Sequence, residues 1–508
     1  MPALDQLHSM LPDVSSGVIL AFVSTLFIIG SYIYSWNRLR HIPGPVLARW
    51  SYLWISVQSQ TGHQGARYQA VSEKYGHLTR IGPNDLITDD PDIIRRMSAA
   101  RSAYKRSSWY DAMRLNPLQH SLFSLTDTAT HDRLKAQMSH GYGGKENPTL
   151  EDEIDEQLAN LLGLIRRKYI SSEKVYRPID LATAVQYFTL DSLTRIAYGK
   201  EFGYLETDSD VHSYIKTSES FLPIIVFFAE LPFFSRIFFS PSALKLYGPK
   251  ATDKEGIGRL IGIAKEVVNK RFENNAEDQQ DMLGSFIRHG VPQELLEGEV
   301  PFQIIAGSDT TATTIRGTML NLMTTPHAYQ ALQKEIDAAI AQGLLSNPAR
   351  ADEGRQLEYL QAVIYEGLRI NIPFTGLAMK EVPPEGDTIH GHFVPGGTRI
   401  AWSITAIERS KELFGEDAEL FRPERWLNIE PNKKREMVQT VELVFGYGRW
   451  GCAGKPVAFM ELNKVYIELL RHFDFQLVDA NHPVHSVNVN IWFQKYMWVR
   501  VTERYVNA

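Results

Sequence analysis

A single cysteine, Cys452, stands in 508 residues, directly after a glycine-rich loop. One cysteine excludes an internal disulfide, a CxxC redox pair, a cysteine-rich zinc site and a four-cysteine iron–sulfur cluster within the chain. The fold must therefore depend on a hydrophobic core, and 44% hydrophobic residues over this length can build a large one. Any chemistry of Cys452 must come from one isolated sulfur.

The charge balance argues against nucleic acid as a partner. Lysine and arginine number 53 and aspartate and glutamate 59, so the formal net charge is -6. A chain of this charge has no overall basic field that would attract phosphates. We therefore expect an ordinary polar surface and no nucleic-acid partner.

The N-terminal region contains a stretch of 24 residues, Val14–Asn37, without a charged side chain. As a helix it would be roughly 36 Å long, which is enough to cross a bilayer core. A cleaved signal peptide is the alternative, but Met1–Asp13 lacks lysine and arginine, whereas Arg38 and Arg40 follow the apolar run. These features favour an uncleaved transmembrane anchor, with residues 1–13 luminal and the body of the protein cytosolic.

A proline-rich segment separates this anchor from the rest of the chain. The sequence His41-Ile42-Pro43-Gly44-Pro45 ends the anchor helix, so residues 38–50 are predicted to form a stiff hinge and 51–508 one large domain. Helical periodicity dominates that domain. Strand patterns are few and cluster in Leu78–Thr88, Thr388–Ile400 and Val487–Val501.

The segment Phe221–Phe239 is unusually apolar. It is interrupted by Pro223, Glu230 and Pro232, which makes it too short for a second membrane span. Two interpretations stay open: core packing, or a surface that dips into a membrane or admits substrate.

The loop before the cysteine, Gly446–Gly451, has the pattern GxGxxG between a predicted strand, Val441–Phe445, and a predicted helix. That order is typical of a dinucleotide-binding crossover. However, only 62 residues follow Gly446, too few for a dinucleotide-binding sheet. Asp479 lies 28 positions after Gly451, beyond the usual spacing of about 20.

A thiolate site explains the same loop better. Pro456 fits the first turn of the following helix. The free amides and dipole at a helix start stabilise a negative sulfur, and glycines let backbone pack closely under a flat ring. Cys452 is therefore predicted to be a metal-binding thiolate.

The tract Phe445–Gly454 resembles the haem-binding loop of the cytochrome P450 family, particularly fungal biosynthetic members of the pisatin demethylase type. The resemblance implies that Cys452 is the axial ligand of the iron of haem b. The implied cofactor contacts in this loop are Phe445, Gly446, Gly448, Trp450 and Gly454. The family usually carries a basic residue two positions before the cysteine to bind a haem propionate. Trp450 occupies that position here and offers one indole N–H.

A second motif, Ala306–Thr311, lies within a predicted helix, Gln293–Thr324. Its glycine and its hydroxyl-bearing and acidic side chains predict a kink or bulge. It resembles the oxygen-activation motif of the family, which implies that Ala306 and Gly307 lie beside the haem, with room for dioxygen at Gly307. Asp309 and Thr310 are the implied catalytic residues, which relay protons.

Two further matches complete the resemblance. Glu366 and Arg369 stand at i and i+3 on a predicted helix, Leu357–Ile370, and with Arg425 they resemble the structural ExxR and PERF-type triad. His131 and Lys135 resemble the [WH]xxxR motif that contacts a propionate, with lysine in place of arginine. Lys380 is a second candidate for that contact.

The resemblance implies a mainly α-helical prism with a small β-rich lobe, preceded by a single N-terminal transmembrane helix in the endoplasmic reticulum membrane. The implied reaction inserts one oxygen atom from O2 into a lipophilic small molecule, such as a terpenoid or polyketide of fungal secondary metabolism. A non-oxygenating rearrangement or dehydration on the same fold, and a membrane-anchored haem-binding sensor or carrier, are the alternatives. The implied substrate contacts are Trp109–Leu122, Phe221–Phe239, Phe302, Phe374–Leu377 and Ile491–Phe493.

The sequence shows no flavin domain, so both electrons must come from another protein. By the same resemblance the donor is NADPH-cytochrome P450 reductase, with cytochrome b5 as a further donor. The expected docking residues are Arg133, Lys433, Lys434, Arg435 and Lys455.

Overall fold

The computed structural model describes residues 16–116, 118–273 and 277–504. Within these ranges the chain is mainly α-helical, as predicted. The α-helices are α1 Ser16–Arg38, α2 Val46–Trp50, α3 Leu53–Ser59, α4 Gln64–Tyr75, α5 Pro91–Ser98, α6 Ser108–Ala112, α7 Thr128–Tyr142, α8 Leu150–Leu164, α9 Leu181–Tyr198, α10 Tyr204–Thr207, α11 Tyr214–Ala229, α12 Pro232–Phe238, α13 Pro241–Tyr247, α14 Gly256–Arg271, α15 Met282–Arg288, α16 Gln293–Thr324, α17 Pro326–Ala341, α18 Ala351–Gly354, α19 Glu358–Ile370, α20 Ile404–Glu408, α21 Lys411–Phe414, α22 Pro431–Val441 and α23 Lys455–His472.

The strands are short and form small sheets. They are β1 Leu78–Gly82, β2 Asp85–Thr88, β3 Lys105–Arg106, β4 Ile179–Asp180, β5 Lys380–Glu381, β6 Asp387–Ile389, β7 His392–Val394, β8 Arg399–Trp402, β9 Phe473–Leu477, β10 His485–Val489, β11 Ile491–Lys495 and β12 Trp498–Glu503. The largest sheet has five strands in the order β1-β2-β8-β5-β3, with β2 and β8 parallel. The other sheets are β4-β12-β9, β10-β11 and β6-β7. The three predicted strand regions are confirmed.

The long helix α16 runs through the core, where it packs against α9, α14, α19 and α23. Most of its side chains are buried, and the buried ones lie on every face of the helix, as expected of a central helix. It crosses α19 at two glycines: a Cβ on Gly367 would lie 2.2 Å from the Thr318 hydroxyl, and one on Gly317 would lie 2.4 Å from the Asn371 side chain. These glycines allow the close crossing of α16 and α19, the helix that carries Glu366 and Arg369.

The predicted bulge at Ala306–Thr311 is wrong, because α16 is α-helical without a break from Gln293 to Thr324. The kink that was predicted as its alternative stays a prediction. The hydroxyl groups bond back to the helix itself instead of breaking it. Ser308 donates to the Ile304 carbonyl at 2.6 Å, and Thr310 donates to the Ala306 carbonyl at 2.7 Å. Such i−4 bonds satisfy the hydroxyls within a helix.

The N-terminal prediction falls partly outside the described residues, which begin at Ser16. From Ser16 the predicted anchor is helical as α1. Across the described ranges no single helix is both long and apolar enough to cross a membrane. The segments Val211–Ala229 and Pro232–Phe238, bent by 118°, meet that standard only as a pair, by length and composition. The transmembrane anchor stays a prediction.

The apolar segment Phe221–Phe239 is divided between α11 and α12. On α11, Leu222, Ile225 and Val226 are buried, so this part belongs to the core. On α12, by contrast, the large apolar side chains are between 46% and 69% exposed, namely Phe233, Phe234, Ile237 and Phe238. The core interpretation therefore holds for α11 but not for α12.

Candidate active site

The loop that presents Cys452 connects α22 to α23. Its two left-handed residues are Gly446, at a φ of 74°, and Gly448, at 56°. A Cβ on Gly448 would also lie 2.2 Å from the Ser98 carbonyl oxygen, so only glycine fits there. The Cys452 amide closes the loop by donating to the Phe445 carbonyl at 2.6 Å. Gly454 then caps α23, with Pro456 in its first turn as predicted.

The predicted strand Val441–Phe445 is wrong. Val441 ends α22, and residues Glu442–Phe445 form a 3-10 turn. Val441 and Leu443 are buried in the core, and the helix that delivers them begins at Pro431 with the Glu430 carboxylate as its cap. The glycine loop is thus preceded by a helix, which removes the strand that a dinucleotide-binding crossover requires.

Cys452 is exposed to solvent, although protein atoms surround its thiol closely. Burial raises its pKa, while hydrogen bonds from the Gly454 and Lys455 amides and the charge of Lys135 act in the opposite direction. These are the helix-start donors expected for a thiolate. They suit a sulfur that binds a metal, since coordination removes the thiol proton outright.

Lys135 clamps the cysteine loop from α7. Its ammonium donates to the carbonyl oxygens of Arg449 at 2.8 Å and Gly451 at 2.6 Å. Two of its three donors are therefore used on the loop, and one is left for a propionate. His131, one turn earlier, is buried with its ring centroid 4.4 Å from that of Trp450. Burial and the charge of Arg106 lower the pKa of His131 to about 3, so its ring is neutral.

Trp450 lies between two buried cations. The guanidinium carbon of Arg106 and the ammonium of Lys380 are each 4.4 Å from its ring centroid. The two residues face each other as partners on the paired strands β3 and β5, and like charges directly opposite are unfavourable. Arg106 donates to two backbone carbonyls, at 2.7 and 3.2 Å, and Lys380 donates to the Tyr110 hydroxyl at 3.2 Å. Among the described residues neither has a carboxylate within 4.0 Å, and the Trp450 Nε1 and Arg106 Nε have no acceptor.

This donor set fits the carboxylates of haem propionates. The two basic side chains have no counter-charge and the indole N–H has no acceptor, and the two propionates of a haem held by Cys452 would supply both. Lys380 was a sequence candidate for this contact, whereas Arg106 was missed. Burial lowers the pKa of Arg106 to about 10 and that of Lys380 well below its ordinary value, which a bound carboxylate would oppose.

The residues of the oxygen-activation motif point in different directions. Ala306, Gly307 and Thr310 are only partly buried, whereas Ser308 between them is buried. Asp309 is buried and accepts a 2.8 Å hydrogen bond from the Tyr214 hydroxyl on α11. Burial raises the pKa of Asp309 to about 6, against the hydrogen bond from Tyr214 and the charge of Arg316. An acid of that pKa can both hold and release a proton near neutral pH.

Gly307 has a packing role that the sequence did not reveal. A Cβ at this position would lie 2.8 Å from the Leu193 side chain on α9. The glycine therefore lets α9 approach the central helix. The implied room for dioxygen at Gly307 stays a prediction.

The predicted triad forms a buried ion network. The Arg369 guanidinium donates to both Glu366 oxygens, at 2.7 and 2.8 Å, and Arg425 donates to the same carboxylate at 2.8 Å. Glu366 and Arg369 are 0% exposed. Burial alone would raise the pKa of Glu366, but Arg369 and Arg425 hold it below its ordinary value.

The remaining donors of the two arginines attach this network to the chain that precedes α22. Arg369 donates to the carbonyls of Glu408, Ala418 and Leu420. Arg425 donates to the carbonyls of Phe414, Asp417 and Leu420. The triad thus connects α19 to the segment leading into the cysteine loop, as its structural role requires.

Several predicted substrate-contact residues meet in one aromatic cluster. Phe302 of α16 stacks on Phe123 at 4.8 Å between centroids, and Phe374 meets the same ring edge-on at 6.2 Å. Phe123 lies one residue beyond the predicted loop Trp109–Leu122, so the sequence boundary missed it. A cavity of about 420 Å³ separates α6 and its following loop from α12 and α13.

Comparison with known proteins agrees with this geometry. The profile of the family described as Cytochrome P450 matches residues 43–494. Cytochrome P450 monooxygenase ABA1 of Pyricularia oryzae is 51% identical over 490 residues, which cover 95% of this chain and 96% of the relative. Cytochrome P450 monooxygenase aba1 of Botryotinia fuckeliana is 44% identical over 468 residues, 92% of each chain. Cytochrome P450 monooxygenase abl1 of Leptosphaeria maculans is 38% identical over 453 residues, 88% of this chain and 80% of the relative.

A thiolate loop, a buried triad and the cationic surroundings of Trp450 thus occur in a chain that matches this family over most of its length, and the chain belongs to the cytochrome P450 family as a monooxygenase with a haem-iron cofactor.

Proposed function

We propose that the protein inserts one oxygen atom from O2 into a lipophilic small molecule of fungal secondary metabolism, a terpenoid or a polyketide, with haem b as its cofactor. The observation that carries this proposal is the arrangement on α16, where a buried acid of raised pKa, Asp309, adjoins a partly buried threonine, Thr310. The haem supplies oxygen activation when bound. The three relatives named above are all fungal monooxygenases, which supports the assignment.

The chain's own residues divide the work. Cys452 would hold the iron, and Arg106, Lys380 and Trp450 would bind the propionates. Asp309, which the Tyr214 hydroxyl holds in place, supplies protons, and Thr310 relays them through its hydroxyl. The aromatic cluster around Phe302 excludes water and binds an apolar substrate.

The pairing of Asp309 and Thr310 on α16 favours oxygen insertion over two alternative functions. A non-oxygenating rearrangement or dehydration needs no delivery of protons to dioxygen, which is the task that Asp309 and Thr310 are proposed to share. A haem-binding sensor or carrier likewise needs no proton relay and no substrate cavity.

The Thr310→Ala variant tests the proposal. The compound that accumulates when the gene is deleted serves as substrate, and the holoprotein is supplied with electrons by NADPH-cytochrome P450 reductase. We expect normal haem binding but on the order of 100-fold less product per NADPH, the lower range for a positioned acid–base group. The electrons from NADPH that no longer lead to product should appear as hydrogen peroxide.

The matched control is Thr314→Ala, one helical turn further along α16, where the hydroxyl bonds only to the Thr310 carbonyl at 3.2 Å. This variant should keep its product yield. If Thr310→Ala couples electrons to product as well as the control does, the proton-relay assignment is wrong.

We also propose that α1 anchors the protein in the endoplasmic reticulum membrane with the catalytic domain in the cytosol. In support, α1 has 23 residues, roughly 35 Å at 1.5 Å per residue. Val18, Ile19 and Phe22 are more than half exposed along it. The full chain should resist alkaline carbonate extraction from fungal microsomes, whereas a variant lacking residues 1–37 should be released. Release of the full chain would exclude the anchor.

The electron donor is proposed to dock on the basic residues of α7 and α22. Arg133, Lys434 and Arg435 have no acidic partner within 4.0 Å among the described residues, whereas Lys433 and Lys455 are already paired with Glu436 and Glu442.

The double variant Lys434→Glu, Arg435→Glu should slow reduction by the reductase about tenfold at low salt, since electrostatic steering of this size is typical. Lys174→Glu, an exposed lysine elsewhere, is the control. Unchanged stopped-flow reduction kinetics in the double variant would place the docking surface elsewhere.

A further inference from the structure

Two histidines and a glutamate come together where α7 meets α15, apart from the groups of the active site described above. His140 lies in the last turn of α7, His289 directly follows α15, and Glu146 lies in the connection between α7 and α8. One ligand atom from each residue lies within 4.8 Å of those of the other two. Neither the proposed reaction nor the family resemblance assigns these residues a role.

The backbone holds the two histidines together. A Cβ on Gly141 would lie only 2.7 Å from the Phe286 ring, so the glycine lets α7 and α15 approach closely. Next to this contact the His140 and His289 rings stack at 4.9 Å between centroids, 11° from parallel. The Gln137 side chain on α7 also donates to the His289 carbonyl at 2.9 Å. The juxtaposition therefore follows from helix packing rather than from two free side chains.

Glu146 supplies the anionic member of the group. Its Oε1 lies 2.7 Å from His289 Nε2, and its Oε2 lies 3.0 Å from Arg288. Arg288 is thus an outer partner that would orient the carboxylate toward a metal ion. Asp278, at 2.6 Å from Arg288, offsets the arginine's charge.

Two imidazole nitrogens and one carboxylate oxygen, with water in a fourth position, form a ligand set that Zn²⁺ accepts. Tetrahedral Zn²⁺ with bonds of about 2.1 Å places its ligand atoms about 3.4 Å apart. None of the three side chains is buried, so the two imidazole rings are free to turn out of their present stack and direct their nitrogens to one ion.

We propose that His140, Glu146 and His289 form a Zn²⁺ site that ties the C-terminal end of α7 to α15. The consequence reaches the active site, because α7 also carries His131 and Lys135. Zinc bound here stabilises the helix whose lysine clamps the cysteine loop.

The test is a zinc titration of the full-length holoprotein, prepared without an affinity tag, stripped with a chelator and titrated with ZnCl2 against a chromophoric chelator. We expect one tight equivalent in the wild type. In His140→Ala and in His289→Ala its affinity should fall at least about tenfold, since the loss of even an outer partner has that effect. Zinc should raise the melting temperature of the wild type and not that of the two variants.

His482→Ala is the matched control, because His482 also lies beside a carboxylate, Asp479 at 3.2 Å, but has no second histidine. It should bind zinc like the wild type. The reduced carbon-monoxide spectrum confirms that each variant is folded and loaded with haem. The proposal is overturned if the wild type takes up no zinc equivalent more tightly than His140→Ala and His289→Ala, or if the control loses as much affinity as they do.

Discussion

The Cys452→Ser variant should lose both the reduced carbon-monoxide absorption of a thiolate-ligated haem and all detectable oxygen insertion. The chain contains no other cysteine, so no other thiolate can replace it. A serine hydroxyl at this position stays protonated, whereas a thiolate pushes electron density onto iron and favours O–O cleavage. The absorption spectrum of the purified variant and its product yield are the measurements.

The loss is expected to be chemical rather than structural. The loop is closed by the backbone bond from Cys452 to Phe445 and by the Lys135 clamp, and neither uses the sulfur. The variant should therefore melt close to the wild-type temperature when both are compared without haem. Ala453→Ser, which adds a hydroxyl one residue later and keeps the cysteine, is the control and should retain the absorption. An unchanged carbon-monoxide spectrum in Cys452→Ser would refute iron ligation by this sulfur.

The parts of the site that the sequence predicted are those encoded by short local spacings. Glu366 and Arg369 stand one helical turn apart, so their pairing follows from the helix alone. Asp309 and Thr310 are adjacent, and Cys452 and Pro456 are separated by less than two turns. In each case one local segment determines the spacing, and the resemblance to the family supplied the expected role of each residue.

The parts that the sequence missed depend on contacts between distant segments. Arg106 meets Lys380 through a pair of two-residue strands, too short to produce an alternation pattern. Tyr214 reaches Asp309 from another helix, and nothing near Tyr214 in the chain indicates it. Lys135 was predicted to contact a propionate. Two of its three donors instead bond to carbonyl oxygens of the cysteine loop, a contact that no local sequence pattern indicates.

The two errors of local structure have a common cause. Val441–Phe445 was assigned to a strand because it is rich in β-branched and aromatic residues, yet burial against the core at helical spacing prevailed. The polar run Ala306–Thr311 was expected to kink or bulge its helix, but its hydroxyls bond to carbonyls one turn back, and within the surrounding core the helix continues without a bulge. In both cases tertiary packing overrode residue propensity.

The Glu366→Gln variant is expected to cost about 3–5 kcal/mol of folding free energy, the range for breaking a buried ion network on one side. The Glu366 oxygens accept hydrogen bonds from Arg369, Arg425, the Trp426 indole and the Arg422 amide. An amide keeps one of these oxygens but turns its nitrogen toward donors, and it leaves two buried arginines without their counter-charge. A loss of this size is a large share of the total stability of about 5–15 kcal/mol.

The surface pair Asp92–Arg95 offers a matched control for that loss. It has the same i,i+3 spacing and the same 2.7 Å contact, but Asp92 is 84% exposed, so Asp92→Asn should cost less than about 1 kcal/mol. Urea unfolding followed by haem absorbance measures both variants.

The stabilisation by Glu366 should also depend on pH. Because the pKa of Glu366 is held below its ordinary value, its contribution to the free energy of unfolding is present above the unfolded pKa of about 4.3 and disappears as pH falls through the folded pKa. The difference in unfolding free energy between the wild type and Glu366→Gln should accordingly be largest at neutral pH and should decrease under acid conditions. A neutral-pH gap no larger than that of Asp92→Asn would mean that the triad does not stabilise the segment leading to Cys452.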